Sequence, residues 1–415
     1  MEYGYLLSLA LILLSTKIFG LVTKRVKLPQ VVGALMAGLI LGPACLGVLK
    51  ETEFITQVSE IGVIVLMFCA GLETDIKELK KTGASSFIIA LLGVIVPLLG
   101  GWGIASIFNK DSVDGLASPM LQNIFIGIIL TATSVSITVE TLKEMGRLSS
   151  KSGNAILGAA VIDDILGIIA LTVITSSADK SVNIGMVLLK ILLFFIFAIV
   201  VAIAFNFVFN KWSGRSKKDL RRYVIIGFVF CLLMSFSAEH FFGVADITGA
   251  FVAGLALSNG PRATYLSNRF DTLSYMLLSP VFFASIGLKV VLPKMSASII
   301  LFAVILLIVA VITKVIGCGL GAKICKFSNK DSLRGEVALI VASKGAAVGL
   351  MNEKYFAPIV IMVVVTTIIT PILLKFVYKS KKGDDNESKG ELEVGKFTKS
   401  SALEEHEQNL INQKS

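Results

Sequence analysis

Two adjacent carboxylates, Asp163 and Asp164, sit in a run from Ala155 to Ile174 that is otherwise almost wholly apolar. A charged side chain at the centre of a membrane helix costs about 2.5–3.5 kcal/mol even on the lenient insertion scale, so the pair needs a partner or a task. The chemistry open to carboxylates at that depth is the binding of a monovalent cation or a proton. Lys314 lies in a second apolar run, Val304–Cys318, whose other polar side chain is Thr313. Its ammonium meets a similar cost, which pairing with an aspartate would offset; snorkelling toward an interface is the alternative. Neighbouring helix positions point about 100° apart, so one aspartate can face Lys314 while the other faces an ion cavity. A third polar stretch at depth is Thr131-Ala132-Thr133-Ser134-Val135-Ser136, and Ser343-Lys344-Gly345 is a fourth. Such stretches suit discontinuous helices, whose freed carbonyls can meet a cation. The other reading is a continuous helix in which Ser and Thr bond back to preceding carbonyls.

The elements that must carry these residues are membrane helices. Hydrophobic residues make up 55% of the chain and charged ones 16%, a balance unlike that of soluble domains. A spanning helix needs about 20 apolar residues. Thirteen segments qualify, near residues 4–20, 29–48, 56–74, 85–108, 121–143, 152–176, 184–211, 220–242, 245–258, 270–290, 296–323, 335–353 and 356–378. Basic residues collect in alternate loops, among them Lys24, Arg25 and Lys27; Lys77, Lys80 and Lys81; Lys143, Arg147 and Lys151; and Lys217, Lys218, Arg221 and Arg222. The positive-inside rule then puts the N-terminus outside and the C-terminus in the cytoplasm. The formal charge of +10 is mostly topology, and nucleic acid is not an expected partner.

Met1-Glu2-Tyr3 lacks the basic start of a cleavable signal peptide, so the first helix is expected to stay. The five cysteines have no paired metal spacing and read as small packing residues, and with two histidines a His-ligated metal site is not expected. No cofactor is called for beyond the transported ions. Residues 379–415 turn polar and read as a disordered cytoplasmic tail, leaving 1–378 as the membrane domain. Gly317-Cys318-Gly319-Leu320-Gly321 lacks the strand context of a phosphate loop and reads as small-residue helix packing, so a classical enzyme is not expected.

An internal repeat organises the span. Gly33-Ala34-Leu35-Met36-Ala37-Gly38-Leu39 matches Gly249-Ala250-Phe251-Val252-Ala253-Gly254-Leu255 at a shift of 249 − 33 = 216, and the same shift carries Gly71-Leu72 onto Gly287-Leu288. The second and third helices therefore map onto the ninth and tenth. An odd helix offset inverts the copy, giving inverted-topology six-helix repeats over 1–176 and 220–378 with 184–211 as the linking helix, a plan that secondary transporters use. The fifth and twelfth segments are equivalent in the repeat and are the expected crossed, discontinuous pair.

With these motifs in hand the chain resembles a known family. Leu28-Pro29-Gln30-Val31-Val32-Gly33, Phe68-Cys69-Ala70-Gly71-Leu72-Glu73-Thr74-Asp75, Gly158-Ala159-Ala160-Val161-Ile162-Asp163-Asp164 and Gly249-Ala250-Phe251-Val252-Ala253-Gly254-Leu255 look like bacterial cation:proton antiporters of the NapA-like group, with the spore-germination sodium/proton-potassium antiporters as similar members. The resemblance covers roughly residues 5–378. It implies a homodimer in the inner or plasma membrane, each protomer pairing a dimerisation part with a mobile core. It also implies that Asp164 is the cation and proton carboxylate, that Asp163 pairs with Lys314, and that Thr133 and Ser134 lie at the crossover. Potassium-efflux relatives usually carry a long nucleotide-binding tail, and the polar stretch 379–415 is expected to be too short for one.

The expected activity is secondary exchange of Na⁺ for H⁺, with Li⁺ or K⁺ as other cations the site could take. Burial disfavours a charged carboxylate and a nearby ammonium favours it, so a proton and a cation can compete for one Asp164. Moving an empty, ionised site across the low-dielectric barrier is costlier than moving either loaded form, which permits antiport. Release of a proton from Lys314 while Asp163 joins the cation site would make exchange electrogenic. A potassium/proton antiporter is the alternative within the class. Outside it stand a sodium-coupled organic-anion symporter, which needs a roomier binding crossover, and a passive cation channel, which needs a continuous pore.

Overall fold

In a bilayer core no water can satisfy backbone N–H and C=O groups, so long apolar runs close their hydrogen bonds within themselves as helices. A computed structural model of the chain describes residues 4–110, 117–131, 135–178, 183–213, 221–260, 262–290, 296–325, 350 and 355–379. Helices and their connections account for all of these, with no strand among the described residues. In order they are α1 Gly4–Arg25, α2 Gln30–Leu41, α3 Glu53–Glu73, α4 Ile76–Phe108, α5 Pro119–Thr131, α6 Val135–Glu144, α7 Lys151–Ala178, α8 Ile184–Ser213, α9 Arg221–Phe242 and α10 Asp246–Ser258. Then follow α11 Ala263–Leu273, one π-helical turn Ser274–Leu278, α12 Ser279–Leu288, α13 Ala297–Ile324 and α14 Phe356–Lys379. Ten spans among the described residues are long and apolar enough to cross a membrane, and α2 and α10 are shorter apolar helices. The expected twelfth segment, 335–353, lies outside the described residues apart from Leu350. The chain divides into two units, Met1–Leu374 and Lys375–Ser415; the described residues of the second, 375–379, are helical.

Three boundaries differ most from the sequence reading. The second segment stops at Leu41 instead of running to residue 48, because Gly42 precedes Pro43 and a residue before proline is pushed out of the helical region. The chain then folds back, with Leu46 N–H on the Ile40 carbonyl at 3.0 Å and Leu49 N–H on that of Leu41 at 2.8 Å. At 12 residues α2 is about 18 Å long, short of the bilayer's hydrocarbon core of about 30 Å. The fourth segment starts at Ile76, well before residue 85, because the Asp75 carboxylate caps the N–H groups of Lys77 and Glu78. The tenth starts at Ala263 instead of 270 and crosses the π turn on the way to Leu288.

Packing sorts the helices into two groups. In one, α4 packs on α5, α7 and α13, and a core of Phe125, Ile129, Phe302, Leu306, Tyr355 and Ile359 draws in α14. In the other, α1, α2, α3, α9, α10, α11 and α12 pack together, with Ile12, Ile55, Val281 and Leu288 in one shared cluster. The second group is stitched by reciprocal glycine crossings. A Cβ on Gly38 would strike the Ala284 carbonyl, and one on Gly254 would strike the Phe68 carbonyl. Likewise Gly287 lies against the Leu35 carbonyl and the Leu39 N–H, and Gly71 against those of Phe251 and Leu255. Each contact in one pair becomes its counterpart in the other when 216 is added or subtracted, since 38 + 216 = 254 and 71 + 216 = 287. The sequence shift is thus also a rule for which backbones touch.

Contacts at the helix ends test the expected alternation of the spans. Glu144 meets Gln30, Ser149 meets the Glu73 carbonyl and Lys143 meets Glu73, all on the face holding the basic loops. On the opposite face Lys289 pairs with Glu51 at 3.4 Å, and Asn109 bonds Gln122 and Asn123.

Candidate ion-binding site

Small residues let three helices approach closely enough to bring the buried charges together. On α7, Gly158 presses on Ser86 of α4, whose hydroxyl donates to the Ala155 carbonyl at 3.0 Å. On α13, Gly317 and Gly321 lie against the α4 backbone at Leu92 and Ile89, while Gly93 of α4 receives the Cys318 sulfur. Ala90, Ala159, Cys318 and Ala322 fill the space between them. The glycine stretch on α13 is therefore a packing surface, as its sequence context implies.

This packing sets Lys314 of α13 beside Asp163 of α7, with Nζ 3.5 Å from Oδ2 and the two side chains only 4% and 1% exposed. The ammonium also donates to the Thr131 carbonyl at 2.5 Å. Thr131 is the last described residue of α5, and its hydroxyl donates back to the Ile128 carbonyl at 2.7 Å. The carbonyl gives the buried ammonium an acceptor beyond the single carboxylate oxygen, and a lysine ammonium can donate to three. Asp164 is partly exposed one position further along α7, turned about 100° from its neighbour as helix geometry requires. Of the residues singled out from sequence, Asp163 and Lys314 are thus in contact and Asp164 is adjacent. Thr133, Ser134 and Ser343-Lys344-Gly345 lie outside the described residues.

A second charged cluster was not anticipated from sequence. Lys143, near the end of α6, pairs with Asp271 of α11 and lies 3.5 Å from Glu73 of α3. Ser267 of α11 bonds Glu73 at 3.4 Å and Asp271 at 3.5 Å. The next residue, Glu144, accepts the N–H groups of Gln30 at 2.8 Å and Val31 at 3.1 Å, and so caps α2 from a distant part of the chain. Pro29 precedes α2 and makes no side-chain cap, so Glu144 supplies what the local sequence does not. Lys143 had read as one of the basic-loop charges, and no local spacing joins it to residue 271.

A bundle of membrane-spanning helices around a buried ammonium–carboxylate pair defines an integral membrane protein with an intramembrane ion centre. The family model described as sodium/hydrogen exchanger, transmembrane, matches residues 10–379. The chain belongs to that family. It is 38% identical to the Na(+)/H(+)-K(+) antiporter GerN of Bacillus cereus, over 92% of this chain and 98% of that protein. It is 37% identical to a Na(+)/H(+) antiporter of Enterococcus hirae, over 89% and 97% of the two chains. Among solved structures, the sodium proton antiporter MjNhaP1 of Methanocaldococcus jannaschii shares the fold, with a TM-score of 0.60, 17% identity and coverage of 92% and 98%.

Proposed function

We propose that the protein exchanges Na⁺ for H⁺ at Asp164 by alternating access. The observation that carries this reading is the buried contact of Lys314 with both Asp163 and the Thr131 carbonyl, one residue from a partly exposed Asp164. The pair leaves Asp163 neutralised in the resting site and Asp164 as the carboxylate within reach of solvent. A proton and a cation then compete for that carboxylate, and a site carrying either crosses the barrier at lower cost than an empty, ionised one. Thr133 and Ser134 complete the cation's oxygen shell. When Na⁺ enters, Asp163 turns from Lys314 toward the ion, and the ammonium releases its proton to the side from which Na⁺ came, along with the proton of Asp164; two H⁺ then exchange for one Na⁺, which makes the exchange electrogenic.

The basic loops lie in the cytoplasm with the C-terminus, the N-terminus is outside, and two copies associate in the bacterial inner membrane. Residues 1–176 and 220–378 act as inverted copies, a reading that the reciprocal glycine contacts favour. Proteoliposomes holding an interior pH dye test the exchange. Competition predicts that the apparent KM for Na⁺ rises as pH falls while the maximal rate is unchanged. Flux that needs no opposing cation would indicate a channel, and flux that needs an added organic anion would indicate a symporter. A rate indifferent to an imposed membrane voltage would remove the electrogenic step. Flux driven by K⁺ in preference to Na⁺ would shift the reading to potassium/proton exchange; K⁺ stands beside Na⁺ and H⁺ in the name of the relative GerN.

A further inference from the structure

We propose that the end of α6 is a latch that holds the basic-loop face of the transporter closed, with Lys143 and Glu144 as its positioning residues. The sequence ties α6 to the ion site, since it follows α5 directly and leads into α7. In space α6 packs both on α7 of the first helix group and on α2 and α3 of the second. Its last two residues face in two directions at once. Lys143 grips Glu73 on α3 and Asp271 on α11, and Glu144 caps the N-terminus of α2. Two consecutive side chains of α6 thus hold three helices of the second group.

The chemistry suits repeated opening. Lys143, Glu73 and Asp271 keep 23%, 24% and 32% of their side-chain surface exposed, so water can take over each charge when the contacts part. A fully buried pair would instead leave uncompensated charges on separation. Every latch residue lies on the face of the basic loops, whereas on the opposite face the ion pair among the described residues, Lys289–Glu51, joins the end of α12 to the loop before α3 within one group. Among the described residues the ion-pair fastening between groups is therefore one-sided, as a gate that must release during part of a transport cycle requires. Cys69 lies buried directly behind it, with its thiol against Asp271.

This proposal rests on the exchange reading above, but its test does not need transport, so the two can fail separately. In everted membrane vesicles, a membrane-impermeant maleimide is added and labelling of Cys69 and Cys231 is read by peptide mass spectrometry. Cys231 is buried in α9, away from the latch, and reports general unfolding. Because the latch favours one of two interconverting states, Lys143→Ala and Glu144→Gln are each expected to raise Cys69 labelling over Cys231 by up to about fivefold. Lys143→Arg should restore the wild-type rate, and Lys289→Ala should leave it unchanged. Unchanged Cys69 labelling in both Lys143→Ala and Glu144→Gln would overturn the proposal. So would an equal rise at Cys69 and Cys231, which would mean that the contacts hold the fold and not a gate, or a rise in Lys289→Ala matching that in Lys143→Ala.

Discussion

Lys314 and Lys143 each meet an aspartate on another helix, yet the two contacts have opposite economies. The first is almost completely buried, with 4% and 1% of the side chains exposed, and the second keeps about a quarter to a third of its surface. Sequestering an ion pair costs several kcal/mol per charge, which attraction and added hydrogen bonds seldom repay in full, so the Lys314–Asp163 pair is a poor device for stability and points to a role in ion handling. A part-exposed pair is worth about 0–1 kcal/mol and can be broken and remade at little cost. Burial, more than residue type, decides which pair can set a site and which can open a door.

The largest effect should come from breaking the buried pair on one side only. Lys314→Ala strands Asp163 in an apolar interior and is expected to cost about 3–5 kcal/mol, seen as a sharply lower Tm in detergent. Pairing Lys314→Met with Asp163→Asn should recover most of that stability while leaving the Na⁺-dependent proton flux changed, which separates the structural cost from the transport role. Full recovery of flux in the double variant would show that the pair matters for stability alone.

Next in size come the glycine crossings, which probe contact without charge. Gly38→Ala and Gly254→Ala each force a methyl into a facing carbonyl, so each should cost about 1–3 kcal/mol by thermal melting. The two losses should be similar, because the contacts are equivalent under the shift of 216. Losses differing several-fold would break that equivalence. Smaller still, Lys143→Ala should lower stability by no more than about 1 kcal/mol, in contrast to Lys314→Ala. At the bottom of the scale lies Gly83→Ala on α4, where a Cβ meets nothing within 4 Å; helix propensity predicts no loss and a gain of up to about 1 kcal/mol.

The buried pair was legible in the sequence because a charge in a long apolar run has few explanations, and three such charges in two runs nearly name one another. The shift of 216 was legible for a related reason: glycines at a constant spacing mark close backbone approaches, and the structure places such approaches at Gly38, Gly71, Gly254 and Gly287. The end of α2 was also written in the chain, as Gly42-Pro43, but the apolar residues beyond it masked the stop. The latch was not legible. Lys143 and Glu144 are ordinary charges for a membrane boundary, and their partners lie 128 and 114 residues away along the chain. Periodicity carries no information about which distant helix end will meet them. The π turn at Ser274–Leu278, which lengthens the α11–α12 span, likewise has no local signature that sets it apart from α-helix.

The most direct test of the central claim is cation-driven proton flux in proteoliposomes of wild type and Asp164→Asn, with folding of both verified by Tm and gel filtration. Asparagine keeps the size and polarity of the side chain but can neither carry the charge that holds Na⁺ nor exchange a proton for it. Flux in wild type on addition of Na⁺, lost in a folded Asp164→Asn, is the predicted result. Flux that persists in Asp164→Asn at the wild-type rate would contradict it and move the exchange site away from this carboxylate.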